Sequence, residues 1–407
     1  MIRKNVVLAN KSGVFLSVGL CLFCAQLLAQ AASSSNFSLI KDAAEAIAAG
    51  KLDIAENELQ AVLRADPSEY RALNLLGIVR AQQHRESEAE QLFKQAIKQK
   101  PEFASAHMDL GLLYSQMNRA DEAEPEFRET LKLDPARTDA RNSLINLYDT
   151  QATAAVQQQD SEKALSLLIK VRQLSPENHD VLFKFGMVAL KMALFRDAIQ
   201  AFREALKIQS NDSKAIYGLG RAQIGLTRFQ DAKESFEHYV QLRPEDASGY
   251  YALGFVLRAL QQLPRSRVQF EKSIQLQPVQ TESYYNLGLL DLDENDFDDA
   301  SKHFRAVLAR DPKHAGALTG LGRVAFERKQ YQTARDLLQQ AVVFDPSLRE
   351  AHYYLGMAFG RLGRKDDSLK QVQIASQLDR DEVQKQQHVM KLLSPGEETA
   401  PGHAELK

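Results

Sequence analysis

The feature that most constrains the fold of this 407-residue chain is a proline that recurs every 34 residues. These positions, called marks below, are Pro67, Pro101, Pro135, Pro176, Ser210, Pro244, Pro278, Pro312 and Pro346, and the one longer interval, from Pro135 to Pro176, is 41 residues. A fixed period of this size is typical of arrays of small structural repeats. Such an array is open-ended, and the chain is longer than the roughly 250–300 residues at which a single hydrophobic core stops growing.

Two small residues keep the same period. Glycine lies ten residues after most marks, at Gly77, Gly111, Gly186, Gly220, Gly254, Gly288, Gly322 and Gly356. Alanine lies twelve residues before most marks, at Ala55, Ala89, Ala123, Ala164, Ala198, Ala232, Ala300 and Ala334, with Ser266 before Pro278; Ser368 continues the period 34 residues after Ala334. Apolar residues spaced three, four and seven apart around them predict two helices per repeat. We expect Phe93, Phe127, Phe202, Phe236, Phe270 and Phe304 to fill the space beside the glycines.

Leu-Gly, then Ala, Phe and Pro at these spacings resemble the tetratricopeptide repeat (TPR) family, and ten such units cover residues 36–382. The resemblance implies an all-α, right-handed superhelical solenoid of about ten helix-turn-helix units. It also implies a concave groove that binds peptides or protein segments. The first unit has Ala43 in place of glycine, as an atypical terminal repeat would. Residues 383–393 are predicted to form a capping helix and residues 394–407 a disordered tail.

The fourth unit departs from the pattern, with Ile145 in place of glycine and seven extra residues. Seven residues are two turns of a helix, so the first helix of this unit is expected to run long and keep its phase. Two interpretations remain open. The insertion either divides the array into units 1–4, residues 36–178, and units 5–10, residues 179–382, or it is neutral.

Residues 1–31 have the pattern of a secretory signal peptide. Arg3, Lys4 and Lys11 precede an apolar run from residue 14 to residue 28, which ends in a small-x-small sequence at residues 29–31. The run of 15 is short for a membrane span of about 20 residues. We therefore expect a periplasmic or secreted protein. The alternative is an uncleaved N-terminal membrane anchor, and membrane contact is expected only in that case.

Removal of this segment would change the chemistry of the chain. Cys21 and Cys24 both lie in it, so the mature chain would contain no cysteine for a disulfide, a thiolate metal site or a nucleophile. The loss of three basic residues would also shift the formal net charge from −2 to −5. This balance argues against a nucleic-acid partner, which needs a basic face.

An acidic run between residues 291 and 299 partly resembles a calcium-binding loop. Asp291, Asp293 and Asn295 match the first ligands of an EF-hand loop, but Asp296 stands where glycine is required and Lys302 where the closing glutamate should be. The helical frame explains the acids better. We predict that Asp296 caps the second helix of its repeat, with further aspartates in its positively polarised first turn.

No motif in the sequence predicts catalysis, a cofactor or a metal site. The glycine-rich stretches at residues 217–225 and 319–324 contain repeat glycines and follow no strand, so they do not indicate a nucleotide loop. Walker, HExxH and GxSxG motifs are absent from the sequence. The chain is therefore predicted not to be an enzyme.

The resemblance implies that the first helix of each unit supplies the groove. The predicted peptide-binding groove residues are Phe183, Met187, Tyr217, Arg221, Tyr251, Phe255, Arg258, Tyr285, Arg323, Phe326, Tyr353 and Met357. Aromatic residues and arginine dominate binding hot spots, and methionine adapts to varied partners. We expect a protein or peptide partner of apolar and acidic character. The competing interpretation is that the tyrosines only pack between neighbouring helices.

The sequence is compatible with three functional classes. The leading prediction is a non-catalytic scaffold that mediates protein–protein interactions. One alternative is an accessory subunit of an envelope assembly, such as polysaccharide, secretion or pilus machinery, tethered at the membrane. Another is an enzyme with an unrecognised active site in the groove.

Overall fold

The computed structural model describes the backbone of residues 34–393 and side chains from residue 36 to residue 381. The predicted signal segment, residues 1–31, and the predicted tail, residues 394–407, lie outside the described residues. The described backbone forms helices and no strand. The all-α repeat fold is therefore confirmed.

The helices divide into two compact units, the first ending at Gln209 and the second beginning at Ser210. The first unit contains α1 (Ser34–Ala48), α2 (Leu52–Ala65), α3 (Tyr70–Gln82), α4 (Glu86–Gln99), α5 (Ala104–Gln116), α6 (Ala120–Leu133), α7 (Thr138–Gln157), α8 (Ser161–Leu174), α9 (His179–Lys191) and α10 (Phe195–Ile208). The second contains α11 (Ser213–Gly225), α12 (Phe229–Leu242), α13 (Ala247–Ala259), α14 (Leu263–Leu276), α15 (Thr281–Asp293), α16 (Phe297–Leu308), α17 (Ala315–Glu327), α18 (Tyr331–Phe344), α19 (Arg349–Arg361) and α20 (Lys365–Leu393). Each unit is thus five helix pairs. The sequence-based division after residue 178 falls one repeat before this boundary.

The prolines act as helix stops. The second helix of a pair usually ends two residues before its mark, as α2 does at Ala65 before Pro67. The intervening residue Asp66 is extended, with φ −140° and ψ 96°. Proline disfavours helical geometry in the residue that precedes it, which explains why the second helix stops there.

Glycine and phenylalanine set the close approach within a pair. A Cβ added at Gly254 would lie 2.7 Å from the Phe270 ring, and one at Gly288 would lie 2.7 Å from the Phe304 ring. Both phenylalanines have 0% exposed surface. The structure therefore confirms that phenylalanine fills the space that glycine leaves.

The insertion in the fourth repeat lengthens its first helix. Helix α7 has 20 residues, whereas α5 and α9 have 13. Its buried residues extend into the added turns, where Ala152 and Ala155 are each 2% exposed. The seven extra residues keep the buried face in phase, as two helical turns require.

The last helix differs from the prediction of a separate cap. Helix α20 is continuous over 29 residues and includes both the second helix of the tenth repeat and residues 383–393. Arg380 occupies the place where most repeats have the helix-stopping proline, so no proline ends this helix. No helix among the described residues is both long and apolar enough to cross a membrane.

Candidate functional site

The predicted groove residues lie on first helices, as expected, but in two units. Phe183 and Met187 belong to α9 in the first unit. The other ten lie on α11, α13, α15, α17 and α19, and they are called the second-unit groove: Tyr217, Arg221, Tyr251, Phe255, Arg258, Tyr285, Arg323, Phe326, Tyr353 and Met357. Ten of the twelve predicted groove residues thus belong to the second unit.

Three tyrosines of the second-unit groove are half-buried. The ring centroids of Tyr217, Tyr251 and Tyr285 lie 5.4, 6.1 and 6.0 Å from those of Phe236, Phe270 and Phe304, the buried phenylalanines of their own repeats. Burial raises the pKa of each of the three tyrosine hydroxyls. These tyrosines thus contribute to packing within the repeat and expose only part of their surface.

Other predicted groove residues are more exposed. Phe255 is 36% exposed and Tyr353 is 42% exposed. Most of the other apolar side chains on these two helices are buried, so Phe255 and Tyr353 stand out as exposed aromatic residues. Phe255 and Tyr353 therefore add exposed aromatic surface to the second-unit groove.

The structure brings three predicted residues together around one that the sequence analysis missed. Tyr354 lies 6.0 Å from Phe326 and 5.3 Å from Tyr353 between ring centroids, and the guanidinium carbon of Arg323 is 5.7 Å from its ring. These four residues are called the Tyr354 cluster. The sequence gives little indication of this role, because Tyr354 lies one residue outside the periodic groove position of Tyr353. Tyr354 contacts α17 because the first helices of neighbouring repeats pack together.

The arginines of the second-unit groove have few carboxylate contacts. Arg323 lies 3.6 Å from the Glu350 carboxylate, beyond hydrogen-bond distance, and its Nε is buried without a hydrogen-bond partner. Arg258 donates to the Asn286 amide oxygen at 3.3 Å, and the described part of the chain pairs neither Arg258 nor Arg221 with a carboxylate. By contrast, Arg267 outside the groove contacts two carboxylates at 2.7 Å each. The second-unit groove therefore contains arginine N–H donors that no carboxylate of the described residues reaches at hydrogen-bond distance.

Two glycines next to the groove make room for aromatic rings. A Cβ added at Gly316 would lie 2.8 Å from the Tyr285 hydroxyl, and one at Gly320 would lie 2.4 Å from the Phe304 ring. Asn286 is only 6% exposed, and its Nδ2 donates to the Glu282 carbonyl at 2.9 Å. Because its amide oxygen also accepts a hydrogen bond from Arg258, Asn286 links α13 and α15 beside these glycines.

The acidic run has a structural explanation. Asp296 precedes α16 and accepts a hydrogen bond from the Asp299 backbone N–H at 3.2 Å, so the predicted cap is confirmed. Asp291 is 1% exposed and bonds Arg267 at 2.7 Å and His303 at 2.6 Å. Among the residues that the structure describes, no three His, Cys, Asp or Glu side chains are arranged to hold a metal ion.

Comparison with protein-family models gives one family. A tetratricopeptide repeat model matches residues 42–104, 150–213, 217–280 and 285–349, and a second model of the same name matches residues 80–147. Together the matches extend over more than half of the chain. No curated protein gives a significant match.

The solved structures that match are repeat proteins with low sequence identity. MamA from Desulfovibrio magneticus RS-1 is 22% identical, with a TM-score of 0.41, over 42% of this chain and 97% of that one. PilF from Pseudomonas aeruginosa is 20% identical, with a TM-score of 0.46, over 53% and 99%. YrrB, described as a TPR protein with an unusual peptide-binding site, is 24% identical, with a TM-score of 0.38, over 45% and 95%.

The family-model matches span successive helix pairs, and the periodic Gly–Phe contacts supply close packing within the pairs. This chain belongs to the tetratricopeptide repeat family.

Proposed function

We propose that this protein is a non-catalytic scaffold that binds a segment of another protein along the second-unit groove. The segment is apolar with acidic side chains. The observation that carries this proposal is the Tyr354 cluster, in which Arg323 lies among aromatic rings with a buried Nε that has no hydrogen-bond partner.

The chemistry of the groove supports a peptide ligand. Exposed aromatic surface at Phe255 and Tyr353 provides apolar contact area at low conformational cost. Arginine in a partly desolvated site favours a carboxylate, because its planar guanidinium donates two parallel hydrogen bonds to it. An acidic side chain of the ligand would satisfy donors of Arg323 that Glu350 does not reach.

The test places a photo-crosslinking amino acid, p-benzoylphenylalanine, at Phe255 in the full-length chain. The matched control places it at Phe344 on α18, which is 42% exposed on a second helix. We expect crosslinks to a partner segment from position 255 and none to that segment from position 344. Mass spectrometry of the crosslinked peptide identifies the segment and shows whether it contains acidic residues.

Point variants then measure the contribution of the cluster. Arg323→Gln and Tyr353→Ser should each weaken binding of the synthetic segment by about tenfold or more, or at least about 1.4 kcal/mol, in calorimetric titration. Phe344→Ser serves as the control and should bind like the wild type. Exposed residues are preferable to Tyr217 or Tyr251, whose replacement removes packing against core rings. Equal crosslinking from both positions, or unchanged binding by both groove variants, would refute the proposal.

We further propose that the scaffold acts outside the cytoplasm, after cleavage of residues 1–31. The support is the basic, apolar and small-residue order of that segment. Fractionation combined with N-terminal sequencing checks this proposal. A mature N-terminus after Ala31 in the periplasmic or secreted fraction is expected, whereas an intact N-terminus in the membrane fraction would indicate an anchor.

A further inference from the structure

Asp109, on α5 of the first unit, is a half-buried carboxylate without an ion-pair partner among the described residues. It accepts a hydrogen bond from the side-chain Nδ2 of Asn74, on α3, at 2.7 Å. The positive charge of Arg137 favours the ionised form of Asp109, but its guanidinium donates hydrogen bonds to Asp139 at 3.0 Å and to Ser105 at 3.3 Å. The negative charge of Asp109 is therefore compensated only at a distance.

Asn74 is the second half of the same arrangement. Its side chain is buried, with 2% of the residue exposed, and its Oδ1 has no hydrogen-bond partner. An unpaired buried acceptor is unfavourable, because no hydrogen bond offsets the loss of its contact with water. One planar amide thus donates to Asp109 and keeps an unsatisfied acceptor on its other side.

Other carboxylates of the first unit form close ion pairs with arginine. Glu56 contacts Arg80 at 2.5 Å, and Glu90 contacts Arg119 at 2.7 Å. Hydrogen bonds from these arginines lower the pKa of each glutamate to about 2. Burial instead raises the pKa of Asp109 to about 6. Asp109 differs from the other two in lacking a cation at contact distance.

We propose that Asp109 and Asn74 form a binding site for one cationic side chain, a lysine or an arginine, of a partner protein. The N–H groups of an ammonium or guanidinium would donate to the Asp109 carboxylate and to Oδ1 of Asn74. Both unfavourable features, the uncompensated charge and the unpaired acceptor, are removed by the same ligand. This site lies in the first unit and does not depend on the second-unit groove.

The donor set favours an organic cation over a metal ion. Calcium takes about six to eight oxygen ligands, and the described residues hold no cluster of three metal-ligating side chains. An anionic ligand is disfavoured because it would face Asp109 and Asp139. One ammonium or guanidinium group has several N–H bonds, so it can donate both to the Asp109 carboxylate and to Oδ1 of Asn74.

The test follows the Asn74 side-chain amide by NMR in the full-length protein labelled with ¹⁵N-asparagine. The probes are n-butylammonium and n-propylguanidinium, analogues of the lysine and arginine side chains, and uncharged n-butanol. The charged probes should shift this signal saturably, and n-butanol should not. Asp109→Asn should weaken binding by about tenfold or more, corresponding to about 1.4 kcal/mol.

The matched control is Asp149→Asn. Asp149 lies on α7, and both of its oxygens contact the Lys184 ammonium, at 2.6 and 2.8 Å. Its charge is already compensated, so the control should bind the probes as the wild type does. Equal binding by wild type and Asp109→Asn would overturn the proposal, as would an equal response to n-butanol.

The pH dependence is a further readout. The groups that act electrostatically on Asp109 are Asn74, Arg137 and Asp139. Because the pKa of Asp109 is raised to about 6, the ionised form that binds a cation predominates above that pH and is lost below it. Affinity should fall as the pH is lowered from about 7.5 to about 5, and an affinity constant over this range would also overturn the proposal.

Discussion

Asp291 lies at the centre of a buried ion-pair cluster that joins three helices. Its carboxylate bonds Arg267 on α14 and His303 on α16, while Asp291 itself is on α15. Burial opposes ionisation, but hydrogen bonds from His303 and Arg267 outweigh it and lower the pKa of Asp291. At the scale of single residues, the acid that resembled a calcium ligand in sequence stabilises the packing of repeats seven and eight.

We predict that Asp291→Ala destabilises the second unit by about 1–3 kcal/mol, because Arg267, which keeps Glu294, and His303 would each lose a hydrogen-bond partner. Urea denaturation followed by circular dichroism measures the change. Asp298→Ala is the control, since the exposed Asp298–Arg328 pair should contribute no more than about 1 kcal/mol. Similar losses in the two variants would show that the Asp291 cluster is not stabilising.

The wild type and Asp291→Ala also test how the stabilisation by Asp291 depends on pH. A lowered carboxyl pKa contributes stability above the unfolded value of about 3.9, and this contribution is lost as the pH falls through the folded value. The difference in unfolding free energy between wild type and Asp291→Ala should therefore be largest near neutral pH and shrink in acid. A difference that stays constant from neutral pH into acid would contradict this assignment.

At the scale of elements, a left-handed residue recurs between the two helices of each pair. Eight such residues are not glycine: His84, Asn118, Gln159, Ala193, Thr227, Gln261, Asn295 and Lys329, with φ between 56° and 63°. Glycine holds this position only in the first and tenth repeats, as Gly50 and Gly363. The array therefore has unfavourable backbone geometry at most of the turns within its helix pairs, which the 34-residue pattern does not indicate.

Thr227 is the least suited of these residues, because a β-branched side chain is rare at positive φ. We predict that Thr227→Gly raises the unfolding free energy by about 1 kcal/mol, since the relief of left-handed strain exceeds the added freedom of glycine in the unfolded chain.

Urea midpoints of Thr227→Gly and Asn295→Gly provide the comparison. Asparagine tolerates left-handed geometry, so the second variant should change stability by much less. A larger gain for Asn295→Gly than for Thr227→Gly would contradict the strain argument.

At the scale of the whole molecule, the chain consists of two compact units of five helix pairs each. The second unit has core clusters of its own, including one that contains Phe304 and one that contains Phe236. In repeat arrays, stability comes mainly from contacts between neighbouring elements. A cut between complete helix pairs should therefore preserve folding.

We predict that a fragment of residues 210–407 folds on its own, with helical circular dichroism and cooperative unfolding. A fragment of residues 229–407 is the control, because it removes α11 and exposes the Phe236 ring that packs against Gly220. The control should aggregate or unfold more readily. A disordered first fragment would show that the second unit depends on the rest of the chain.

The sequence alone determined the local and periodic features of this protein. The 34-residue spacing predicted the helix pairs, the glycines predicted the close approach of phenylalanines such as Phe270, and the length of the insertion predicted the long α7. These features depend on residues a few turns apart, so one repeat reports on the others. The groove positions were likewise assigned to first helices, although their exposure was not.

Only the tertiary structure decided which side chains meet across helices. The Tyr354 cluster, the Asp291 ion pairs and the uncompensated Asp109 each depend on distances between residues of different helices. The boundary at Ser210 is of the same kind. Such contacts are not periodic, because each interface has its own set of side chains, and a repeat pattern in the sequence carries no information about them.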